Sequence, residues 1–206
     1  MIVVSDFDGT LTMEDVTTLF WDRHLPYDWR HEILPPTYSG ASTPLEMMTR
    51  GYGDLPLPPE ALLAEARGAV RLRPGLPALS ELCRARRWPL SVISHGLTFY
   101  IEALLPAGIP IAAFVGTFVS GRWVVTLPPG VRLSPGEDFK SHIVAGLRAR
   151  HPGQETVYIG DGRLDLPAAE TCDRVFAVRG SPLHQLCSRA LAFDTLEEVV
   201  AALELR

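Results

Sequence analysis

Two acids separated by one residue, Asp6 and Asp8, stand in the run Asp6-Phe7-Asp8-Gly9-Thr10, directly after the apolar run Ile2–Ser5. In an extended chain positions i and i+2 share a side, so both carboxylates would project from the C-terminal end of a first strand. Paired carboxylates there suit nucleophilic attack, proton transfer or the binding of a hard cation. The same run also suits a strand-to-helix turn with Asp as an N-cap, and alone it does not separate these readings.

Three other places carry comparable chemistry. Ser94 ends the apolar run Leu90–Ser94 and is followed by His95-Gly96 and a helical segment. A hydroxyl beside free backbone N–H groups makes an anion site, or simply a cap. Lys140 begins a helical run that continues to Arg150, and it is the only lysine among 19 basic residues. A cation there opposes the helix macrodipole. The chain is rich in Arg, Pro and Ala and lacks Asn, which looks like codon pressure from a GC-rich genome. Under that drift an arginine is expected at position 140, so the lysine points to a place for a compact ammonium between a carboxylate and a phosphate. Finally, Thr156–Ile159 runs into Gly160-Asp161-Gly162-Arg163-Leu164-Asp165, which puts Asp161 and Asp165 at another strand end. Four polar sites at the ends of different strands are far less accidental than any one of them.

These sites need a sheet to align them. Apolar runs at Ile2–Ser5, Leu90–Ser94, Ile111–Val115, Thr156–Gly160 and Val175–Val178 read as strands. The helical runs Ala78–Arg87, Thr98–Leu105, Phe139–Arg150 and Leu196–Leu205 supply crossovers. The expected fold is α/β, a Rossmann-like parallel sheet flanked by helices, with ligands at the C-terminal strand ends. Ser120-Gly121 predicts a β-hairpin between Thr117–Val119 and Trp123–Val125. More than eighty residues separate the first two strands, beyond the needs of one crossover. Short helical runs there, Val16–His24, Leu45–Arg50 and Glu60–Arg71, are broken by Pro35-Pro36, Ser39-Gly40 and Pro56–Pro59. The chain therefore divides into a core of residues 1–11 and 73–206 and a small helical cap, 12–72, with a hinge at Arg71–Gly75.

Composition bounds the function. The chain has 206 residues, is 47% hydrophobic and 21% charged, and carries a net charge of −5, which argues against nucleic-acid binding by bulk electrostatics. Three cysteines without a CxxC pair suit a reducing compartment and neither a disulfide framework nor a zinc site. No apolar run approaches the ~18 residues of a membrane span, and no signal-peptide pattern is present. A soluble, unprocessed cytoplasmic protein is expected, with no membrane partner.

The ordered set of Asp6–Thr10, Ser94 in Val92-Ile93-Ser94-His95-Gly96, Lys140, and Gly160–Asp165 resembles the four motifs of haloacid dehalogenase (HAD) superfamily phosphatases. The inserted helical segment sits where the phosphoserine-phosphatase-like branch has its cap. Within that branch the segments 6–15, 92–105 and 159–178 are most similar to the methionine-salvage phosphatases acting on 2-hydroxy-3-keto-5-methylthiopentenyl-1-phosphate. His95 departs from the pattern, since relatives usually carry Gly after the motif serine.

The resemblance implies a Mg2+-dependent hydrolase of a small phosphorylated metabolite. Asp6 would be the nucleophile and form an aspartyl-phosphate, and Asp8 the general acid and base. Asp6, Asp161 and, through its carbonyl, Asp8 would bind Mg2+, with Asp165 in or behind the metal shell. Ser94, His95 and Gly96 would hold the phosphate, Lys140 would neutralise charge, and Thr10 would orient the loop. Arg50, before Gly51-Tyr52-Gly53, matches a substrate-contacting arginine of cap-bearing relatives, and Asp15 is a weaker candidate; a solvated surface arginine is the competing reading for Arg50. Phosphoserine is the alternative substrate. A phospho-accepting receiver domain is disfavoured by length and motif order, a non-catalytic binding module by the filled catalytic positions, and dehalogenation by the second acid of the pair.

Overall fold

The computed structural model describes residues 1–205. One sheet contains β1 (Ile2–Ser5), β2 (Leu90–Leu97), β3 (Ile111–Val119), β4 (Arg122–Thr126), β5 (Thr156–Gly160), β6 (Arg174–Val178) and β7 (Leu191–Phe193). The strand order is β4-β3-β2-β1-β5-β6-β7; all pairings are parallel except that of β3 with β4. Every residue of β1 and β5 is buried, which is why these strands are unbroken apolar runs rather than alternating ones.

The helices between β1 and β2 are α1 (Val16–His24), α2 (Trp29–Glu32), α3 (Leu34–Tyr38), α4 (Pro44–Gly53), α5 (Pro59–Ala69) and α6 (Leu76–Arg86). After β2 come α7 (Thr98–Leu104), α8 (Phe139–Arg150), α9 (Leu166–Glu170), α10 (Pro182–Leu186) and α11 (Leu196–Glu204). The sheet flanked by helices is the expected α/β, Rossmann-like architecture. No helix among the described residues is long and apolar enough to cross a membrane.

The first five helices hang from a two-stranded neck. Thr12 and Leu72 form an isolated antiparallel bridge, flanked by Met13 N–H to Arg71 O at 2.8 Å and Arg73 N–H to Leu11 O at 2.7 Å. Arg73 itself is buried, and its guanidinium donates to the carbonyls of Gly9, Thr10 and Asp194 at 2.7, 2.6 and 2.9 Å. It thereby ties the returning chain to the loop that follows β1.

The hairpin forms at Ser120-Gly121, both with positive φ (51° and 79°), the geometry of a type I′ turn. β3 is longer than the run Ile111–Val115 suggested: it pairs with β2 through Ile111–Phe114 and with β4 through Val115–Val119. Trp123 of β4 reaches across to the inserted helices, donating Nε1–H to Leu57 O at 2.9 Å and meeting the Tyr52 ring edge-on. The hairpin is thus a shelf for the inserted segment.

Several short elements escaped the sequence reading. α2, α3, α9, α10 and β7 span three to five residues each, too few for periodicity to register. Pro35-Pro36, expected to break the chain, instead open α3, where a missing N–H costs nothing.

Candidate active site

Register explains why distant motifs meet. Ser5 pairs with Val92 on one side and Ile159 on the other, so Asp6, Ser94 and Asp161 all follow within two residues of one register line. Asp6 N–H still bonds Ile159 O at 2.9 Å, which aims its side chain beyond the sheet edge. α8 rests on β1 and β2 and delivers Lys140 to the same rim.

Lys140 Nζ lies 2.9 Å from Asp6 Oδ1 and 2.6 Å from Asp165 Oδ1, all three residues being buried. The cation that opposes the dipole of α8 is therefore balanced by two carboxylates. Burial and the Asp165 charge push the Asp6 carboxyl up to about 7, while Lys140 works in the opposite direction. Burial opposes the charge on Lys140, but its two acid partners outweigh it and raise its pKa.

Asp8 has a different setting. Its Oδ1 accepts from Val16 N–H at 3.1 Å and its Oδ2 from the Tyr100 hydroxyl at 2.6 Å, and no cation among the described residues pairs with it. Burial and the neighbouring Asp15 raise its pKa well above the carboxylate range. Tyr100 continues through Thr17 to Tyr52, at 3.2 and 3.3 Å between hydroxyl oxygens, linking Asp8 to the inserted helices. Nothing in the sequence marked Tyr100: it is one aromatic position on an ordinary helix.

Oxygen atoms of Asp6, Asp161 and Asp165 lie within 4.8 Å of one another. A hard divalent cation fits such a donor set. Asp161 is pushed well up by burial and by the charges of Asp165 and Asp6, and the Thr10 hydroxyl donates to it at 2.5 Å. Asp165, expected in or behind the shell, has no lone pair to spare. Its Oδ1 accepts from Lys140 and from Tyr158 OH at 2.8 Å, and its Oδ2 from the N–H groups of Asp161 and Gly162 at 3.0 and 2.8 Å. Four donors fill the roughly four acceptor positions of a carboxylate. Asp165 therefore braces the loop that carries Asp161.

At the β2 end, Ser94 is buried and its Oγ accepts from Gly96 N–H at 2.9 Å. Gly96 is required by space: a Cβ there would fall 2.4 Å from Asp8 Oδ2 and 1.9 Å from Tyr100 OH. His95 lines the pocket but packs its ring against Phe114 and Phe139, and burial and Lys140 hold it neutral.

Asp6, Asp8, Asp15, Ser94, His95, Gly96, Lys140, Asp161 and Asp165 all line one cavity, and Thr10 joins it through Asp161. Arg50 does not. It is exposed, bonded to Glu32 through Oε2 at 3.0 Å and the main-chain oxygen at 2.9 Å, and stacked over Tyr27. Arg163 is the arginine that lines the cavity. The opposite wall is largely apolar, formed by Trp21, Trp29, Leu34, Met47 and Met48.

A rim of acids, one buried ammonium and a hydroxyl-bearing strand end meet in one cavity at the C-terminal edge of the sheet. The family model of haloacid dehalogenase-like hydrolases matches residues 3–170, and the chain belongs to that family as a phosphatase-type enzyme. It is 26% identical to a polyol phosphate phosphatase of Saccharomyces cerevisiae, over 98% of this chain and 92% of that one. It is 25% identical to a 2-hydroxy-3-keto-5-methylthiopentenyl-1-phosphate phosphatase of Microcystis aeruginosa, over 85% and 83%. Among solved structures it is similar to a phosphoserine phosphatase from T. onnurineus, with a TM-score of 0.73 and 21% identity, covering 99% of this chain and 94% of that one. That likeness speaks to the fold.

Proposed function

We propose that the protein is a Mg2+-dependent phosphomonoester hydrolase that works through an aspartyl-phosphate. The observation that carries this reading is the contrast between its two leading acids: Asp6 has a cation at 2.9 Å, and Asp8 has none among the described residues. Environments that separate two carboxylates in this way assign nucleophile and acid.

Mg2+ would be held by the carboxylates of Asp6 and Asp161 and the carbonyl of Asp8, and when bound it would offset the charge these acids share with a phosphate. Asp6 attacks phosphorus while the ester P–O bond breaks and Asp8 gives its proton to the leaving oxygen. Asp8 then takes a proton from water, the water oxygen attacks the aspartyl-phosphate, and phosphate leaves with Asp6 restored. Ser94 and the Gly96 region would receive the phosphate oxygens, and Lys140 would balance charge as it builds on them.

Five apolar side chains on the far wall favour a leaving group that is uncharged and partly apolar, such as a methylthiopentenyl chain. Phosphoserine is less well served: Arg50 is turned to Glu32, and Asp15 lines the pocket on the inserted side.

The test is phosphate release from an aryl phosphate with Mg2+. Asp6→Asn should lose at least about 10³-fold in kcat without unfolding; undiminished activity would rule out the nucleophile. A panel of phosphoserine, methylthiopentenyl phosphate analogues, polyol and sugar phosphates and nucleotides then ranks leaving groups, with neutral chains expected first.

A further inference from the structure

We propose that Arg163 is the cation that draws the phosphate dianion into the pocket, and that its stacking on Tyr38 closes the mouth behind it. This rests on the phosphatase reading and adds a residue to it.

The pocket is lined by five aspartates and two basic side chains, Lys140 and Arg163, in a chain of net charge −5. An anionic ester therefore meets a repulsive field unless some cation at the mouth is free to face it. Lys140 is not free, being buried and held between Asp6 and Asp165. Arg163 is exposed, and no carboxylate among the described residues pairs with it, whereas Arg23, Arg30, Arg50, Arg71, Arg84 and Arg179 all have acid partners.

What Arg163 touches is a ring. Its Cζ sits 5.4 Å from the centroid of Tyr38, on α3. Arg163 belongs to the turn that carries Asp161, and Tyr38 to the inserted helices, so the contact spans the pocket from one body to the other. A guanidinium stacked on a ring keeps its edge N–H donors available, unlike one forked onto a carboxylate. One side chain can thus hold the mouth shut and still present donors to phosphate oxygens.

The experiment measures hydrolysis of p-nitrophenyl phosphate with Mg2+ between about 20 and 300 mM salt. Arg163→Gln should lower kcat/KM about tenfold at low salt through a raised KM, and flatten its salt dependence. Arg163→Lys should restore the salt dependence, because the charge remains. Arg122→Gln, the same charge change on the distant edge strand β4, should behave as wild type. Tyr38→Leu, which removes the ring under the guanidinium, should raise KM. Inorganic phosphate binding by calorimetry reads the same site without turnover, and Arg163→Gln should weaken it about fivefold. If the wild type hydrolyses the ester and Arg163→Gln keeps its kcat/KM and salt slope, the proposal for Arg163 fails alone. If the wild type neither hydrolyses the ester nor binds phosphate, the phosphatase reading falls and this proposal with it.

Discussion

Adding one methyl group at Gly96 tests the geometry around Asp8. Gly96 lies in β2 and does not have a positive φ, so an alanine there meets no backbone penalty. On conformational entropy alone Gly→Ala would stabilise by about 0.4–1 kcal/mol. Space reverses that sign. The new Cβ would lie 1.9 Å from Tyr100 OH and 2.4 Å from Asp8 Oδ2. Restoring ordinary contact moves the hydroxyl by about 1.5 Å and the carboxylate by about 1 Å. Overpacking of that kind costs about 1–3 kcal/mol, and an acid displaced by about 1 Å loses about 10²-fold in rate. The 2.6 Å bond between Tyr100 and Asp8 has to move as a unit or break. Urea unfolding and aryl phosphate hydrolysis should therefore show Gly96→Ala less stable than wild type, with kcat reduced about a hundredfold. A folded Gly96→Ala enzyme with kcat within about threefold of wild type would refute the placement of Asp8 as the acid.

Other expectations follow from the same rim. Asp165→Asn places an NH2 group against either two main-chain N–H donors or Lys140 and Tyr158, so it should destabilise by about 3–5 kcal/mol in urea unfolding; a change below about 1 kcal/mol would contradict the bracing role. The metal-free protein should lose stability as pH rises. Asp6 is raised from 3.8 to about 7, so between those values the folded state holds a proton that the unfolded state has released, and the stabilisation present near pH 4 is lost by about pH 7. Thermal melts in EDTA should fall across that window, and Mg2+ should raise the melting temperature more at pH 7.5 than at pH 5. A flat profile insensitive to Mg2+ would count against the acid cluster as a cation site.

What could be read from sequence was the part that repeats or punctuates. β1 and β5 were legible because strands buried on both faces are unbroken apolar runs, and the Ser120-Gly121 turn because few residue pairs accept positive φ twice. The strand-end acids were legible because the parallel order of β2, β1 and β5 leaves their C-terminal ends side by side. Lys140 stood out against its arginine-rich background. Contacts between segments distant in sequence left no such trace. Tyr100 meets Asp8 across 92 positions and Arg73 reaches Gly9 across 64, and neither neighbourhood has a local pattern. Arg50 matches a substrate-contacting arginine of cap-bearing relatives, but Glu32, eighteen positions away, holds it outside the cavity. Arg163 lay inside the recognised motif and went unread because its neighbours were the acids.

The strand order gives the inserted helices an asymmetric mooring. They are fastened at the neck beside β1 and again at the hairpin, where Trp123 grips Leu57, three strands away on one flank of the sheet. On the opposite flank, beyond β5, the cavity wall meets them through the ring of Tyr38 over Arg163. A plate pinned along one margin swings at the other. Traffic of ester inward and alcohol outward should therefore run along the β5 side, and stiffening the Trp123 anchorage would leave that doorway free to work.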